Sequence, residues 1–145
     1  MIAVDTNVLI YAHRAETGLH AVASSDLVAL AEGPTRWGLP VFCIAEFIRV
    51  VTHRRVFNPP STLSQATGFL EDLVASPSCR IVRPGTEFTR LLVETVLEAG
   101  ARGNLVFAAQ IVALCREHGI ATILTNDRDF DRFRDLRVRH PGQSG

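Results

Sequence analysis

The sequence predicts an α/β fold in which helices flank a short parallel sheet on both faces. Short apolar runs alternate with longer stretches whose apolar residues recur every three or four positions. Acidic residues fall just past the ends of two of the short runs, as expected where parallel strands end. The 145 residues and 47% hydrophobic content suffice for one core. We therefore expect a single domain over residues 1–145, with a flexible tail in its last few residues.

The first quarter of the chain predicts one strand and two helices. Residues 2–4 are an apolar run that precedes the triplet Asp-Thr-Asn at 5–7. Each residue of the triplet is a good helix N-cap, which predicts a helix over 7–13. Apolar residues then recur at helical spacing over 19–32, until Gly-Pro ends the second helix.

The middle of the chain predicts one strand and two more helices. A brief strand over 40–42 precedes a helix over 44–53, which carries Glu46 in its first turn. The sequence Asn-Pro-Pro then breaks the chain. A capping box, with Thr first and Gln three residues later, opens a helix over 62–75.

The second half of the chain continues the alternation of strands and helices. A strand over 80–82 is followed by a helix over 86–99, which a glycine ends. A further helix over 106–117 ends at His-Gly. Two last strands are predicted, over 120–124 and over 136–139.

Composition excludes several classes of protein. Three widely spaced cysteines argue against a disulfide framework or a zinc knuckle. The first residues, MIAVDTN, do not resemble a signal peptide, and the longest charge-free apolar run, 103–115, is too short to span a membrane. We expect a soluble, cytoplasmic protein. The net charge of zero excludes a uniformly basic coat, although all 15 basic residues are arginines, which suit phosphate.

Three acids, Asp5, Glu46 and Asp127, are expected at strand ends or in the first turn of the next helix. Two carboxylates about 5 Å apart repel each other by about 3 kcal/mol at an effective dielectric of 20, so three of them favour a bound cation. Mg²⁺ and Mn²⁺ prefer such hard oxygen ligands. These ions activate water and stabilise charge that develops on a phosphate.

Each acid also has a purely structural interpretation. Asp5 is a good N-cap, Glu46 complements a helix dipole, and Asp127 or Asp129 suits a turn. What favours a site over these alternatives is that the acids share one edge of the sheet.

Four motifs, in order, resemble the PIN-domain ribonucleases and, more narrowly, the VapC toxins of bacterial toxin–antitoxin pairs. They are MIAVDTNVLIYA, FCIAEFIRVVTH, ARGNLVFAAQIVALCREHG and ATILTNDRDFDRF, which together span nearly the whole chain. The resemblance implies a PIN-like fold whose acidic quartet holds Mg²⁺ or Mn²⁺. It also implies cleavage of RNA, tRNA or rRNA in particular, which inhibits translation.

The resemblance assigns roles residue by residue. Asp5 matches the first acid, Glu46 the second and Asp127 the last, and Asp129 is a further candidate metal ligand. The side chains expected to shape the site by hydrogen bonding are Thr6, Asn7 and Thr125.

The third acid is missing. Family members resemble GNLVxDAxIAALC, and this chain has Ala108 where that pattern has aspartate. Two explanations stand: an engineered inactive form of a toxic ribonuclease, or a naturally impaired member. We favour engineering, because the other three acids remain although they lack purpose without the fourth. Either explanation predicts weak metal binding and little nuclease activity.

Arginines are the candidate RNA contacts. Arg49, Arg54 and Arg55 lie near one helix end and Arg102 precedes another, so they either hold phosphates or simply satisfy helix-end carbonyls. The resemblance further implies a homodimer and a cognate VapB-type antitoxin. A non-catalytic PIN-like module that binds antitoxin or RNA is the alternative function.

Overall fold

The computed structural model describes residues 1–143, and these contain a five-stranded sheet and six α-helices. The strands are β1 (Ile2–Val4), β2 (Trp37–Pro40), β3 (Cys79–Val82), β4 (Thr122–Leu124) and β5 (Arg137–Arg139). The helices are α1 (Thr6–His13), α2 (His20–Glu32), α3 (Val41–Val51), α4 (Leu63–Val74), α5 (Phe88–Ala99) and α6 (Leu105–Glu117). All strands are parallel, in the order β3-β2-β1-β4-β5. The predicted fold class is confirmed.

The strand order reverses direction once along the chain. It runs outward from β1 through β2 to β3, then crosses to the other side of β1 for β4 and β5. Because parallel crossovers are right-handed, this reversal places helices α1–α4 on one face of the sheet and helices α5 and α6 on the other. It also creates a crevice beyond the carboxyl ends of β1 and β4, the usual position of a ligand site.

The prediction for the second strand was wrong. The strand is β2, Trp37–Pro40 rather than 40–42, and all four of its residues are buried. A glycine is needed at position 38 of this strand because a Cβ there would lie 2.8 Å from Val82 Cγ2. Helix α3 therefore begins at Val41, and Glu46 lies in its second turn, not its first.

Other boundaries follow the sequence closely. The Thr62–Gln65 capping box is present, with both of its hydrogen bonds formed, and Gly100 closes α5 with a φ of 60°. Strand β4 is shorter than predicted, covering Thr122–Leu124. A 3₁₀ helix, Arg128–Arg132, was not predicted, and its Phe130 side chain is buried.

The end of the described chain is held against helix α2. Residues 140–143 form a turn in which the backbone N–H of Gly142 donates to Asp26 Oδ2 at 2.8 Å. The rest of the expected flexible tail, residues 144 and 145, lies outside the described residues. Among residues 1–143 there is no helix both long enough and apolar enough to cross a bilayer.

Candidate acidic cleft

A cleft of about 600 Å³ lies at the carboxyl edge of the sheet. Its lining comprises Asp5, Thr6, Asn7, Ile10, Phe42, Glu46, Arg49, Asn104, Phe107, Ala108, Gln110, Ile111, Asp127, Asp129 and Phe130. The four predicted acids, Asp5, Glu46, Asp127 and Asp129, are therefore on the wall of one cavity, together with the alanine that replaces the third acid of the quartet. They come from the ends of β1 and β4 and from helices α3 and α6, four separate segments of the chain.

Asp5 lies at the floor of the cleft, where its side chain is only 6% exposed. Its Oδ1 accepts a hydrogen bond from the backbone N–H of Thr6 at 2.8 Å, which caps helix α1. Burial raises the pKa of Asp5, and repulsion from Asp127 and Glu46 adds to this rise, whereas hydrogen bonds from Thr125 and Thr6 oppose it. A cation in the cleft would stabilise the ionised form of this carboxyl.

Thr125, fully buried after β4, connects several of the cleft residues. Its hydroxyl donates to Asp5 Oδ2 at 2.8 Å and accepts from the Asn7 amide at 3.2 Å and from the backbone N–H of Asp127 at 3.0 Å. The Asn7 carbonyl oxygen in turn accepts from the backbone N–H of Asn126 at 3.2 Å. One buried hydroxyl thus fixes the relative positions of both strand ends.

Glu46 reaches the cleft from helix α3 and is held by Arg49, one turn further along. The guanidinium donates to Glu46 Oε1 at 2.6 Å and to Oε2 at 3.2 Å, and both side chains are substantially exposed. A bidentate pair of this kind holds the carboxylate firmly in one orientation. In this orientation both oxygens of the Glu46 carboxylate are engaged by Arg49.

Asp127 and Asp129 follow β4 and also line the cleft. Asp127 Oδ1 accepts from the backbone N–H of Asp129 at 2.9 Å, which caps the 3₁₀ helix. The structural and the functional interpretation of Asp127 are therefore compatible. One of its carboxylate oxygens caps the 3₁₀ helix, and the residue also lines the cleft.

Ala108 lies in the first turn of α6, 5% exposed, with no acid in that turn. The site position inferred from the sequence is thus on the cleft wall, although its methyl group supplies no ligand. Within residues 1–143, no three His, Cys, Asp or Glu side chains are close enough together to hold a metal ion as they are oriented.

The chemistry of the donors nevertheless fits a hard divalent cation. Four carboxylates line the cleft against a single arginine, and no histidine or cysteine is part of the wall. Such an oxygen-only set suits Mg²⁺ or Mn²⁺ and disfavours zinc or copper.

Only one of the four arginines predicted to contact RNA lines the cleft. Arg49 lines the cleft, whereas Arg54, Arg55 and Arg102 are exposed and lie outside its wall. Sequence reasoning missed Asn104 and Phe107, both on the wall. The spacing of 104, 107, 108 and 111 contained this signal, because these positions share one face of a helix.

Comparisons with known proteins agree with this architecture. The model of the PIN domain matches residues 2–136. VapC ribonuclease Mb2897 of Mycobacterium bovis is 41% identical over 97% of this chain and 95% of its own. Ribonuclease VapC31 of Mycobacterium tuberculosis is 33% identical over 97% of this chain and 99% of its own.

Solved structures share the fold at lower sequence identity. The VapBC2 complex of Rickettsia felis, bound to a promoter DNA fragment, gives a TM-score of 0.69 at 19% identity, covering 97% of this chain and 98% of that one. VapC20 of Mycobacterium tuberculosis, described as a Sarcin-Ricin loop cleaving toxin, gives 0.68 at 18% identity, covering 94% and 99%. The chain belongs to the PIN-domain family, among the VapC ribonucleases.

Proposed function

We propose that this chain is a VapC-type endoribonuclease toxin, dependent on Mg²⁺ or Mn²⁺, whose activity is impaired by Ala108. The observation that carries the proposal is that Asp5, Glu46 and Asp127 line one cleft together with Ala108. The ribonuclease names of the relatives at 41% and 33% identity support the same activity.

Some residues of the cleft would bind the ion, and others orient those ligands by hydrogen bonding. Asp5, Glu46, Asp127 and Asp129 would hold the ion, which when bound activates water and stabilises charge on the phosphate. Thr125 orients Asp5, and Thr6 and Asn7 help it through their hydrogen bonds. Arg49 is the guanidinium placed to bind a phosphate once Glu46 has turned toward the ion.

The substrate and partners are proposed at the level of class. The substrate is RNA, with tRNA or rRNA the expected targets, and cleavage would inhibit translation. A VapB-type antitoxin is the proposed partner, and the VapBC complexes among proteins of the same fold support it. A homodimer in the cytoplasm is the proposed state of the chain.

Restoring the missing acid tests the proposal. Ala108→Asp should produce Mg²⁺-dependent cleavage of RNA, assayed with labelled RNA on a denaturing gel, with EDTA abolishing it. Ala108→Asn is the matched control, because it has the same size and lacks the charge, and it should stay inactive. An unchanged rate for Ala108→Asp would refute the assignment of position 108.

A non-catalytic module is the second candidate, and the alanine at 108 is the observation that favours it. If Ala108→Asp binds Mg²⁺ without cutting any RNA, the scaffold functions by binding alone. Isothermal titration with Mg²⁺, run beside the cleavage assay, separates the two functions.

A further inference from the structure

Phe107 is an aromatic residue exposed at the rim of the acidic cleft. Its side chain is 68% exposed, although it lies in the first turn of α6 directly before Ala108 and lines the same cavity. Exposed phenylalanine is unfavourable in water, so its ring is available to a binding partner that covers it.

One face of helix α6 presents a set of groups to the cleft. Asn104, Phe107, Ala108 and Ile111 recur at helical spacing and all line the cavity. The Asn104 side chain makes no capping hydrogen bond to the helix, so its amide is available to donate and accept elsewhere. An aromatic face and a free amide therefore lie side by side, next to the carboxylates.

The charge of the cleft determines which kind of contact can bind a nucleic acid there. Four carboxylates repel phosphate, and the single arginine of the wall is already paired with Glu46. Contacts that do not depend on charge therefore add to whatever affinity a bound ion and Arg49 would supply in the cleft. Stacking of a base on an aromatic ring is such a contact, and it is tolerant of base identity.

We propose that Phe107 is the platform on which an unpaired nucleobase stacks, next to the phosphate that faces the carboxylates, with the Asn104 amide at the edge of that base. The proposal rests on the proposed ribonuclease function and deepens it. The faces of bases within an A-form duplex are covered by their stacked neighbours, so the RNA that Phe107 binds is single-stranded or looped, with a splayed-out base.

Binding measured on the unaltered chain, which retains Ala108, tests the proposal without interference from cleavage. A single-stranded RNA oligonucleotide carrying 2-aminopurine, whose fluorescence falls on stacking, is titrated with protein in Mg²⁺. Phe107→Ala should weaken binding by about tenfold and remove the quenching, whereas Phe107→Trp should retain both. A duplex of the same sequence should bind with no dependence on position 107.

Leu63→Ala is the matched control, because Leu63 is also 68% exposed but lies on α4, outside the cleft. It should leave RNA affinity and quenching unchanged. Circular dichroism of each variant establishes that it is folded.

Three outcomes would overturn the proposal: equal affinity and quenching for Phe107→Ala, absence of RNA binding by the unaltered chain, or dependence of duplex binding on Phe107. Loss of a dimer in light scattering by Phe107→Ala, with RNA affinity unchanged, would assign the ring to a contact between copies instead. The cleavage assay of Ala108→Asp tests the ribonuclease function separately. The stacking proposal and the ribonuclease proposal can therefore fail independently.

Discussion

The hydroxyl of Thr125 donates a 2.8 Å hydrogen bond to Asp5 Oδ2, although 120 positions separate the two residues in sequence. This bond joins the carboxyl ends of β1 and β4, which are neighbours in the sheet. The same hydroxyl accepts from the backbone N–H of Asp127, so two of the candidate ligands depend on one buried group. The arrangement of the cleft is therefore part of the fold itself.

Removal of the Thr125 hydroxyl should lower the stability of the fold. Thr125→Val keeps the shape of the side chain but leaves Asp5 and Asn7 without their partner, so the free energy of unfolding should fall by about 1–3 kcal/mol. Urea denaturation measures the loss. Thr125→Ser, which retains the hydroxyl, should lose less, and an equal loss in both would show that the methyl group matters instead.

Asp5 should destabilise the metal-free fold at neutral pH. Burial raises its pKa above the ordinary value of 3.8, so the folded protein binds the proton more tightly than the unfolded chain. Its contribution to stability is therefore largest in acid and is lost as the pH rises from about 3.8 through the raised pKa. Asp5→Asn should increase the Tm in EDTA at pH 7, measured by differential scanning fluorimetry.

The increase for Asp5→Asn should shrink as the pH falls toward 4, since the native carboxyl is then protonated. Asp72→Asn, at an exposed position on α4, is the control and should give no such gain. A lower Tm for Asp5→Asn at every pH would mean that its capping bond outweighs the cost of burying its charge.

Ala108→Asp should make the metal-free protein less stable and more responsive to metal. A fifth carboxylate on the wall of the cleft adds repulsion, which should lower the free energy of unfolding by roughly 1–3 kcal/mol in EDTA. Millimolar Mg²⁺ should restore this loss by binding the native state. Ala108→Asn should show no such recovery, and a recovery of equal size would place the bound ion elsewhere.

His13 should make the fold sensitive to mild acid. Burial, and then the charge of Arg14, lower its pKa below the ordinary value of 6.5, with Glu16 opposing. Its ring contacts Phe47 and Phe69 and its Nε2 is hydrogen-bonded to Ser61 at 2.8 Å. The unfolded chain thus takes up the proton first, so stability present above pH 6.5 is lost as the pH falls toward the lowered pKa.

Urea denaturation between pH 5 and pH 8 measures the effect of His13. His13→Gln should flatten the fall in stability, whereas the exposed His53→Gln should leave it in place. An unchanged pH profile for His13→Gln would assign the fall to other groups.

Periodicity and capping chemistry were sufficient to predict most helices and the fold class. Helix α4 was predicted well because the Thr62–Gln65 box is a local signal that the fold retains. Strand β2 was missed because its register depends on packing against β1 and β3, which no local pattern encodes. Because helix α3 begins at Val41 and not at residue 44, Glu46 lies nearly one turn further into the helix than predicted, yet it still lines the cleft.

The candidate acids could be found from sequence, whereas most of the wall around them could not. Asp5 and Asp127 stand directly beside predicted strand ends or turns, so topology brings them together. Phe107 stands at helical spacing from Asn104 and Ile111, but this spacing alone does not distinguish a cleft residue from a core residue, since an aromatic residue on an apolar helix is usually part of the core. Its exposure follows from how α6 is rotated against the cleft, which only the three-dimensional structure reveals.

The capping bonds of Asp5 and Asp127 bear on whether the presence of these acids beside Ala108 indicates an engineered substitution. Each begins a helix through its own carboxylate. Selection for folding alone would retain Asp127 after nuclease activity had been lost, whereas the buried charge of Asp5 carries a cost that an asparagine cap would avoid. The survival of Asp127 beside Ala108 is thus no evidence of recent laboratory alteration, whereas that of Asp5 is harder to explain without a function. Glu46 is paired at the surface with Arg49 and caps no helix, so it has no comparable structural role. It should be the first of these acids to be substituted in relatives that no longer cut RNA.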